Sequence, residues 1–368
     1  MRVGLDLTGA TTDTEVLRDL VRELSRLESG DPSVLDFVVF DSEDGALPSS
    51  SKVKVVPARC RRFGLDPIAR LASAHEVDIL HVLGLTPTRR DRPTIVSVDE
   101  LSEFASPSFR RGRAAKRLAE EARSAEALLT SSQAVRGDIL TWIPDVAPER
   151  IRVVSPGVRS LFDSTRRPDE ETRLRKLYEL PERFLFHESD GAPRRNLQLL
   201  SRVLYRLKNR GRVIPLVLAG DSKHYVKLRS LWNEFGLRHQ IFELGDRPAT
   251  QVADLYRMSA ATVFPAQYTG PARQVLEAFA TGTPVICSTR GALTEITGRA
   301  ALTVCPERED ELSSAIERIW NDPGPLRELL SQRGVERAGS FPLAGRVSQM
   351  RELYLELSRS RREPLVRT

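Results

Sequence analysis

The stretch that decides the fold is "TGPARQVLEAFATGTPVICS", residues 269–288. Apolar residues recur at helical spacing in its middle, and the run "PVICS" after a Gly-Thr-Pro turn is typical of a buried strand. Gly270 and Pro271 suit the beginning of a helix, which we expect near Pro271. A loop, a helix and a buried strand in this order indicate one unit of a parallel α/β sheet.

A carboxylate, Glu277, stands in the most apolar part of this helix. Backbone N–H groups from Gly270 onward would point out at the helix N-terminus and favour an anion, and Arg273 adds a positive charge there. Glu277 would lie about 6 Å further along the helix axis, where its carboxylate could accept a hydrogen bond from a hydroxyl beside a bound phosphate, as in a ribose. The alternative is that Glu277 pairs with an arginine or caps a neighbouring loop, and the pattern leaves both interpretations open.

Strands and amphipathic helices alternate along the rest of the chain, which indicates two doubly wound parallel sheets. The predicted organisation is an N-terminal Rossmann-like domain over 1–165, a polar linker over 166–183, a second Rossmann-like domain over 184–345, and a helix with a tail over 346–368 that packs back on the chain. Ligands of such sheets bind outside the carboxyl ends of the strands, and with two domains we expect the site in the cleft between them.

Composition restricts the classes of protein to consider. The 368 residues are 40% hydrophobic and 29% charged, with a formal net charge of +6 that favours anionic partners. The cysteines form no CxxC pair and the histidines no HxxxH or HExxH spacing, so we expect no metal site. The opening "MRVGLDL" is typical of a first strand, and no apolar run reaches membrane-spanning length. We therefore expect a cytoplasmic protein.

Several motifs in order resemble one known family. They are "PERIRVVSPGV", "FLFHESDGAPRRNLQLL", "LVLAGD", "LGDRPATQVADLYRMSAATVFP" and the long run "VFPAQYTGPARQVLEAFATGTPVICSTRGALTEITGRAALTVCP". The chain resembles the retaining GT-B glycosyltransferases of family four, also called group 1, and its bacterial mannosyltransferase-like members in particular. The resemblance implies transfer of a hexose from a GDP- or UDP-linked sugar to a glycan, lipid-linked or protein acceptor, with retention of configuration and without a metal or another cofactor.

The resemblance also implies roles for individual residues of the second domain. Glu277 matches the second glutamate of the family motif, which contacts the donor ribose. Thr269 stands where the family has its first glutamate, which contacts the donor sugar. Arg195 matches the lysine that binds the donor diphosphate, and Arg194 and Arg273 could add positive charge around it.

Three further positions depart from the family pattern in ways that change charge or backbone freedom. Asp190 stands where many members have an arginine, and Ser189 replaces the glycine before it. In the first domain, the run "SVDEL" places Asp99 near the position of a histidine that lies beside the donor sugar. Asp99 could act as a base, pair with a cationic donor sugar, or cap the end of a strand.

The altered positions Asp99, Asp190 and Thr269 around the donor site motivate an alternative from another functional class. A catalytically inactive relative that keeps the fold, with or without nucleotide binding, could serve as a scaffold or regulatory partner subunit. A dehydrogenase is disfavoured because no G-x-G-x-x-G follows the first strand, and nucleic-acid binding is disfavoured because the arginines are scattered without interleaved aromatic residues.

One helical segment, "FRRGRAAKRLAEEAR", carries three arginines at helical spacing. Arg110, Arg113 and Arg117 could contact anionic lipid headgroups at the inner face of a membrane. A solvated helix face explains the same spacing, so the pattern alone does not choose between the two.

Overall fold

The structure is a computed structural model that describes residues 1–8, 14–25, 35–41, 52–58, 67–83, 91–99, 101, 104, 112–188, 192–221, 225–321 and 324–360. The chain divides into two compact units. The first comprises Met1–Gly157 together with the chain from Leu343 onward, and the second comprises Val158–Pro342. Each unit is built on one parallel sheet, so the predicted α/β class is confirmed.

The sheet of the first unit has seven described strands. They are β1 (Arg2–Asp6), β2 (Asp36–Asp41), β3 (Val53–Pro57), β4 (Ile79–Val82), β5 (Thr94–Ser97), β6 (Ala127–Thr130) and β7 (Ile151–Val153). Their spatial order is β3-β2-β1-β4-β5-β6-β7, and every pair is parallel. The chain order reverses beside β1, which is the switch point typical of a doubly wound sheet.

Helices cover this sheet and complete its core. Those described are α1 (Thr14–Ser25), α2 (Pro67–Ala74), α3 (Arg113–Ser124) and α4 (Gln133–Trp142), with the later α13 (Leu343–Ser360). Helix α3 is described from Arg113, and residues 105–111 lie outside the described part. Tyr354 and Met350 of α13 are fully buried in the core of this unit. The C-terminal helix therefore packs on the sheet of the first unit.

The second unit has six described strands. They are β8 (Leu185–Glu188), β9 (Leu216–Ala219), β10 (Ile241–Glu243), β11 (Ala261–Phe264), β12 (Val285–Ser288) and β13 (Leu302–Val304). Their order is β10-β9-β8-β11-β12-β13, again all parallel. The chain order reverses between β8 and β11, so the carboxyl ends of these two strands lie side by side at the switch point.

The helices of the second unit follow the strands in alternation. They are α5 (Pro168–Leu177), α6 (Leu197–Asn209), α7 (Tyr225–Glu234), α8 (Ala249–Met258), α9 (Arg273–Ala280), α10 (Leu293–Thr297), α11 (Glu309–Asn321) and α12 (Pro325–Gly339). A Cβ added to Gly334 of α12 would lie 2.8 Å from the ring of Phe279 on α9, so these two helices pack closely. None of the described helices is both long and apolar enough to cross a membrane.

The boundary between the units differs from the predicted one. The sequence placed 158–165 in the first domain and a linker over 166–183, but both segments belong to the second unit. Phe162 packs edge-to-face on Tyr256, and the side chain of Arg257 donates hydrogen bonds to the carbonyl oxygens of Leu161 and Asp163. The polar composition of this segment did not predict these contacts, because their partners lie on α8, about ninety residues later in the chain.

A buried histidine connects α13 to the sheet of the first unit. His81 is fully buried on β4, with Nδ1 2.7 Å from the Tyr354 hydroxyl and Nε2 2.8 Å from the Ser97 hydroxyl. Burial, and to a smaller degree the charge of Arg346, lowers the pKa of His81 from 6.5 to about 3. His81 is therefore a neutral packing residue of the core.

This buried imidazole makes the stability of the protein depend on pH. Between pH 6.5 and about 3 the unfolded chain binds a proton on His81 that the folded protein does not, so stability is complete above pH 6.5 and falls below it. We expect the free energy of unfolding to decrease by about 2 kcal/mol between pH 7 and pH 5 on this account. Urea unfolding at both pH values measures it, and the variant His81→Gln should show a pH dependence smaller by that amount. Equal pH dependence in the two proteins would contradict the assignment.

The basic helix of the first unit is described in part. Arg117 on α3 is exposed and lies 3.4 Å from the buried Glu121 in an i,i+4 ion pair, so only the arginine of this pair lies on a solvated face of the helix. Arg110 and the side chain of Arg113 lie outside the described residues. Contact of this helix with a membrane stays a prediction.

Candidate functional site

A pocket lies in the second unit at the carboxyl ends of β8 and β11, where a doubly wound sheet is expected to bind its ligand. Arg195 and Thr269, which the sequence assigned to diphosphate and sugar, both line it. Ala272 and Gln274, around the beginning of α9, form part of the same wall. The structure therefore brings together two of the predicted site residues that are 74 positions apart in the sequence.

Backbone and side-chain hydrogen bonds hold the loop that carries Arg194 and Arg195. The N–H of Gln267 donates to the carbonyl oxygen of Arg194 at 2.8 Å, which joins this loop to the one after β11. Asn196, which adopts a left-handed conformation with φ +59°, donates from Nδ2 to the carbonyl oxygens of Pro265 and Pro306. Asparagine tolerates this conformation better than most residues, and its buried amide fixes the ends of three segments.

Thr269 is buried and anchored through its backbone. Its carbonyl oxygen accepts a hydrogen bond from the N–H of Ala292 at 3.2 Å. Gly291 adopts φ +58°, and a Cβ added there would lie 2.4 Å from the same carbonyl oxygen. The turn after β12 thus supports the pocket wall from behind, and it can do so only because residue 291 lacks a side chain.

Helix α9 begins two residues later than predicted. It starts at Arg273 because Ala272 adopts a left-handed conformation with φ +49°, which no residue of a right-handed helix can have. Gly270 is buried and lies outside the pocket wall. Ala272 and Gln274, which flank the first residue of the helix, line the pocket instead.

Glu277 and Arg273 differ from the sequence expectation in what they contact. Glu277 is fully buried, and its Oε1 accepts a hydrogen bond from Nε of Arg159 at 3.0 Å and lies 2.8 Å from Nη2 of the same guanidinium. Nε of Arg273 lies 3.6 Å from the same oxygen, so this side chain is directed to Glu277. Glu277 does not line the pocket that contains Arg195 and Thr269. Of the two interpretations left open above, the pairing of Glu277 with an arginine is the one observed.

The guanidinium of Arg159 is itself held in place. Its side chain is 4% exposed, and its Cζ lies 4.7 Å from the centre of the Phe162 ring. The second oxygen of Glu277, Oε2, is buried and has no hydrogen-bond partner among the described residues. A buried carboxylate oxygen without a donor is costly, so this atom marks a place where a donor is missing.

A second carboxylate stands close to this ion pair. Glu188 ends strand β8 and is partly buried, and its Oε2 accepts a hydrogen bond from the hydroxyl of Tyr256 at 2.8 Å. Burial, and next the negative charge of Glu277, raises the pKa of Glu188, while the positive charges of Arg273 and Arg159 oppose the rise.

We expect Glu188→Gln to stabilise the protein at neutral and alkaline pH. The folded state favours the protonated form of Glu188, so the wild type loses stability as the pH rises above the ordinary value of about 4.5, and a neutral amide removes that loss. The amide oxygen can still accept from Tyr256. The difference in melting temperature between variant and wild type should therefore grow from pH 5 to pH 8, whereas Glu234→Gln, on an exposed part of α7, should show no such growth.

Asp99 lies in the first unit, two residues after β5. One oxygen, Oδ2, lies 3.9 Å from Nη2 of Arg346 on α13, and the other, Oδ1, is buried without a hydrogen-bond partner among the described residues. This loose pairing is compatible with a side chain available to a ligand. Its predicted role as a base, or as the partner of a cationic sugar, stays a prediction.

Two further predicted residues, Ser189 and Asp190, lie outside the described residues. Within the described ranges, no group of three or more His, Cys, Asp or Glu side chains is placed to hold a metal ion.

Sequence reasoning missed three residues of the site region, namely Arg159, Glu188 and Tyr256. A signal for Arg159 existed, because it is the one charged residue in the run "SPGVRSLF". Glu188 follows the apolar run "FLFH" directly, and polar residues at the end of a buried parallel strand are candidates for a site. Tyr256 gave no signal, since an aromatic residue on an amphipathic helix is usually part of the core.

Residues 170–337 match the family model described as glycosyl transferases group 1. The MMP alpha-(1->4)-mannosyltransferase of Mycolicibacterium hassiacum is 28% identical over 275 residues, which cover 74% of this chain and 62% of that protein. The O-antigen chain mannosyltransferase B of Escherichia coli is 28% identical over 265 residues, which cover 69% of this chain and 68% of that protein. The aligned part thus spans less than two thirds of the first relative's length.

Solved structures with the same fold cover nearly the whole chain. Sucrose-phosphate synthase from Thermosynechococcus elongatus superposes with a TM-score of 0.79 at 18% identity, over 98% of this chain and 100% of that chain. Anabaena HepE in complex with UDP-glucose superposes with a TM-score of 0.76 at 17% identity, over 97% and 100% of the two chains. Residues 170–337 of the chain are thus similar to the glycosyl transferases group 1, and its two parallel-sheet units have the GT-B fold.

Proposed function

We propose that this protein transfers a hexose from a nucleoside-diphosphate sugar to an acceptor with retention of the anomeric configuration. The observation that carries the proposal is the pocket at the carboxyl ends of β8 and β11, where Arg195 and Thr269 meet beside the beginning of α9. A guanidinium and the N-terminal amides of a helix are the groups that bind a diphosphate in proteins.

The chemistry requires positive charge at this place. Breaking the bond between sugar and phosphate leaves a growing negative charge on the departing diphosphate, and preorganised donors lower the barrier by stabilising that charge. In the proposal, Arg195 binds the diphosphate with support from Arg194 and the backbone amides around Ala272. Thr269 contacts the sugar through its hydroxyl, and Glu277 contacts the ribose.

The names of similar proteins support a further proposal about the donor. Two of them are named mannosyltransferases, and HepE was solved with UDP-glucose. We infer a GDP- or UDP-linked hexose as donor and a glycan, a lipid-linked sugar or a protein as acceptor. The transfer would take place in the cytoplasm, with peripheral contact to the membrane where the acceptor is lipid-linked.

The experiment that tests the proposal combines binding and turnover. Calorimetric titration with GDP and UDP should show binding of one of them, and incubation with GDP-mannose, UDP-glucose and related donors should release the nucleoside diphosphate. Arg195→Met should weaken binding of that nucleoside diphosphate by about tenfold or more, because a hydrogen bond between charged groups is lost.

Arg202→Met is the matched control, because Arg202 is an exposed arginine of α6 that pairs with Glu309 and does not line the pocket. It should leave binding unchanged. Binding without release or transfer from any donor, with or without a co-expressed partner, would contradict the proposal and support the inactive scaffold or partner subunit.

A further inference from the structure

We propose that Arg159 is a positioning residue that holds one oxygen of Glu277 and leaves the other, Oε2, as the acceptor for a ribose hydroxyl of the donor. The inference rests on the proposed function, and it names a residue that neither the sequence motifs nor the relatives assign. It explains why a carboxylate that should bind a ligand is paired with an arginine of its own chain.

The pairing is one-sided. Nε of Arg159 donates to Oε1 of Glu277 at 3.0 Å, Nη2 of Arg159 lies 2.8 Å from the same oxygen, and Nε of Arg273 lies 3.6 Å from it. A bidentate pair would instead use both oxygens of the carboxylate. The positive charges therefore stabilise the ionised form of Glu277 from one side and leave Oε2 without a donor among the described residues.

Arg159 is built to stay in this position. Its side chain is almost completely buried, and its guanidinium lies over the ring of Phe162. Phe162 packs on Tyr256, which is anchored in turn through its hydroxyl to Glu188. A guanidinium with so many fixed neighbours orients the carboxylate permanently and is not displaced when a ligand binds.

The missing donor must then come from outside the ion pair. The nearby Glu188 has its Oε2 occupied by the hydroxyl of Tyr256, and the negative charge of Glu277 contributes to raising its pKa. A neutral hydroxyl donates a hydrogen bond to Oε2 of Glu277 without adding charge beside the two guanidiniums. The 2′- and 3′-hydroxyls of a ribose have this chemistry.

Discrimination between ribose and deoxyribose tests the inference. The probes are GDP and UDP with their 2′-deoxy and 3′-deoxy analogues, titrated by calorimetry into the full-length protein. Loss of a hydrogen bond to a charged acceptor should make at least one deoxy analogue bind about tenfold or more weakly to the wild type. In Arg159→Met this ratio should fall below about threefold, because the ribonucleotide loses affinity while the deoxy analogue does not. Arg159→Lys keeps the charge and should restore part of the ratio.

The matched control is Arg327→Met. Arg327 is a partly buried arginine of the second unit that donates a hydrogen bond to the carbonyl oxygen of Ser259 and makes no hydrogen bond to Glu277 or to the segment that carries Arg159. This variant should lower the melting temperature as Arg159→Met does and keep the wild-type ratio. If Arg159→Met does not fold, the double variant Arg159→Met/Glu277→Gln, which buries no unpaired charge, should fold and lack the discrimination.

The outcomes separate this inference from the proposed function. Wild-type protein that binds neither GDP nor UDP overturns both. Binding without a preference for ribose, or a preference that Arg159→Met retains in full, overturns the positioning role alone and leaves the transferase proposal standing.

Discussion

Replacing Gly291 with alanine is expected to lower the free energy of unfolding by about 3 kcal/mol and to abolish nucleotide binding. Two effects add. The residue adopts φ +58°, which is strained for any side chain, and the new Cβ would lie 2.4 Å from the carbonyl oxygen and 3.1 Å from the nitrogen of Thr269. Both contacts are with backbone, so no side-chain rotation relieves them, and the pocket wall at Thr269 must move.

Urea unfolding followed by tryptophan fluorescence measures the loss, because Trp232 and Trp320 both lie in the second unit. Gly339→Ala provides the control, since Gly339 ends α12 and a Cβ there would meet no atom within 4 Å. That variant should be as stable as the wild type or slightly more stable. If Gly291→Ala bound the nucleotide as tightly as the wild type, the turn would not be needed to support the pocket.

Breaking the buried ion pair is the second change with a large expected effect. Glu277→Ala removes the carboxylate and leaves the guanidinium of Arg159 buried without its partner, which should cost about 3 to 5 kcal/mol of stability. Arg159 is 4% exposed and Glu277 is fully buried, so water has little access to the guanidinium that is left without its partner.

A double-mutant cycle separates the pair from its surroundings. The variant Arg159→Met/Glu277→Leu replaces both charges with apolar groups of similar size and should recover most of the stability lost in Glu277→Ala. The single variants Arg159→Met and Glu277→Leu complete the cycle, and the midpoint and slope of urea unfolding give its four free energies. A double variant as unstable as the single one would mean that packing around residue 277, and not the unpaired charge, determines the loss.

Much of the fold could be predicted from local patterns. The stretch 269–288 showed helical and then buried-strand periodicity, and both elements are present as Arg273–Ala280 and Val285–Ser288. The exact beginning of the helix could not be predicted, because Gly270 and Pro271 are typical of a helix start while the left-handed conformation of Ala272 is set by the surrounding loop. The boundary between the two units at residue 157 was also not predicted, because Arg159 and Phe162 contact residues that are far away in the sequence.

For the candidate site, local motifs named two residues and did not reveal a contact between distant segments. Arg195 and Thr269 were assigned by their positions in the motifs, and the structure places both on one pocket wall. The contact between Glu277 and Arg159 joins residues 118 positions apart, and no local pattern records such a separation.

The sequence by itself determined the alternation of strands and helices, the two parallel sheets and the identity of the residues at their carboxyl ends, because periodicity and turn chemistry are local properties of the chain. Tertiary structure alone decided which oxygen of Glu277 is occupied, that Glu188 stands beside it, and that residue 291 must lack a side chain. These features depend on distances between segments that meet only after the sheet has formed, and on burial that strengthens charge interactions there.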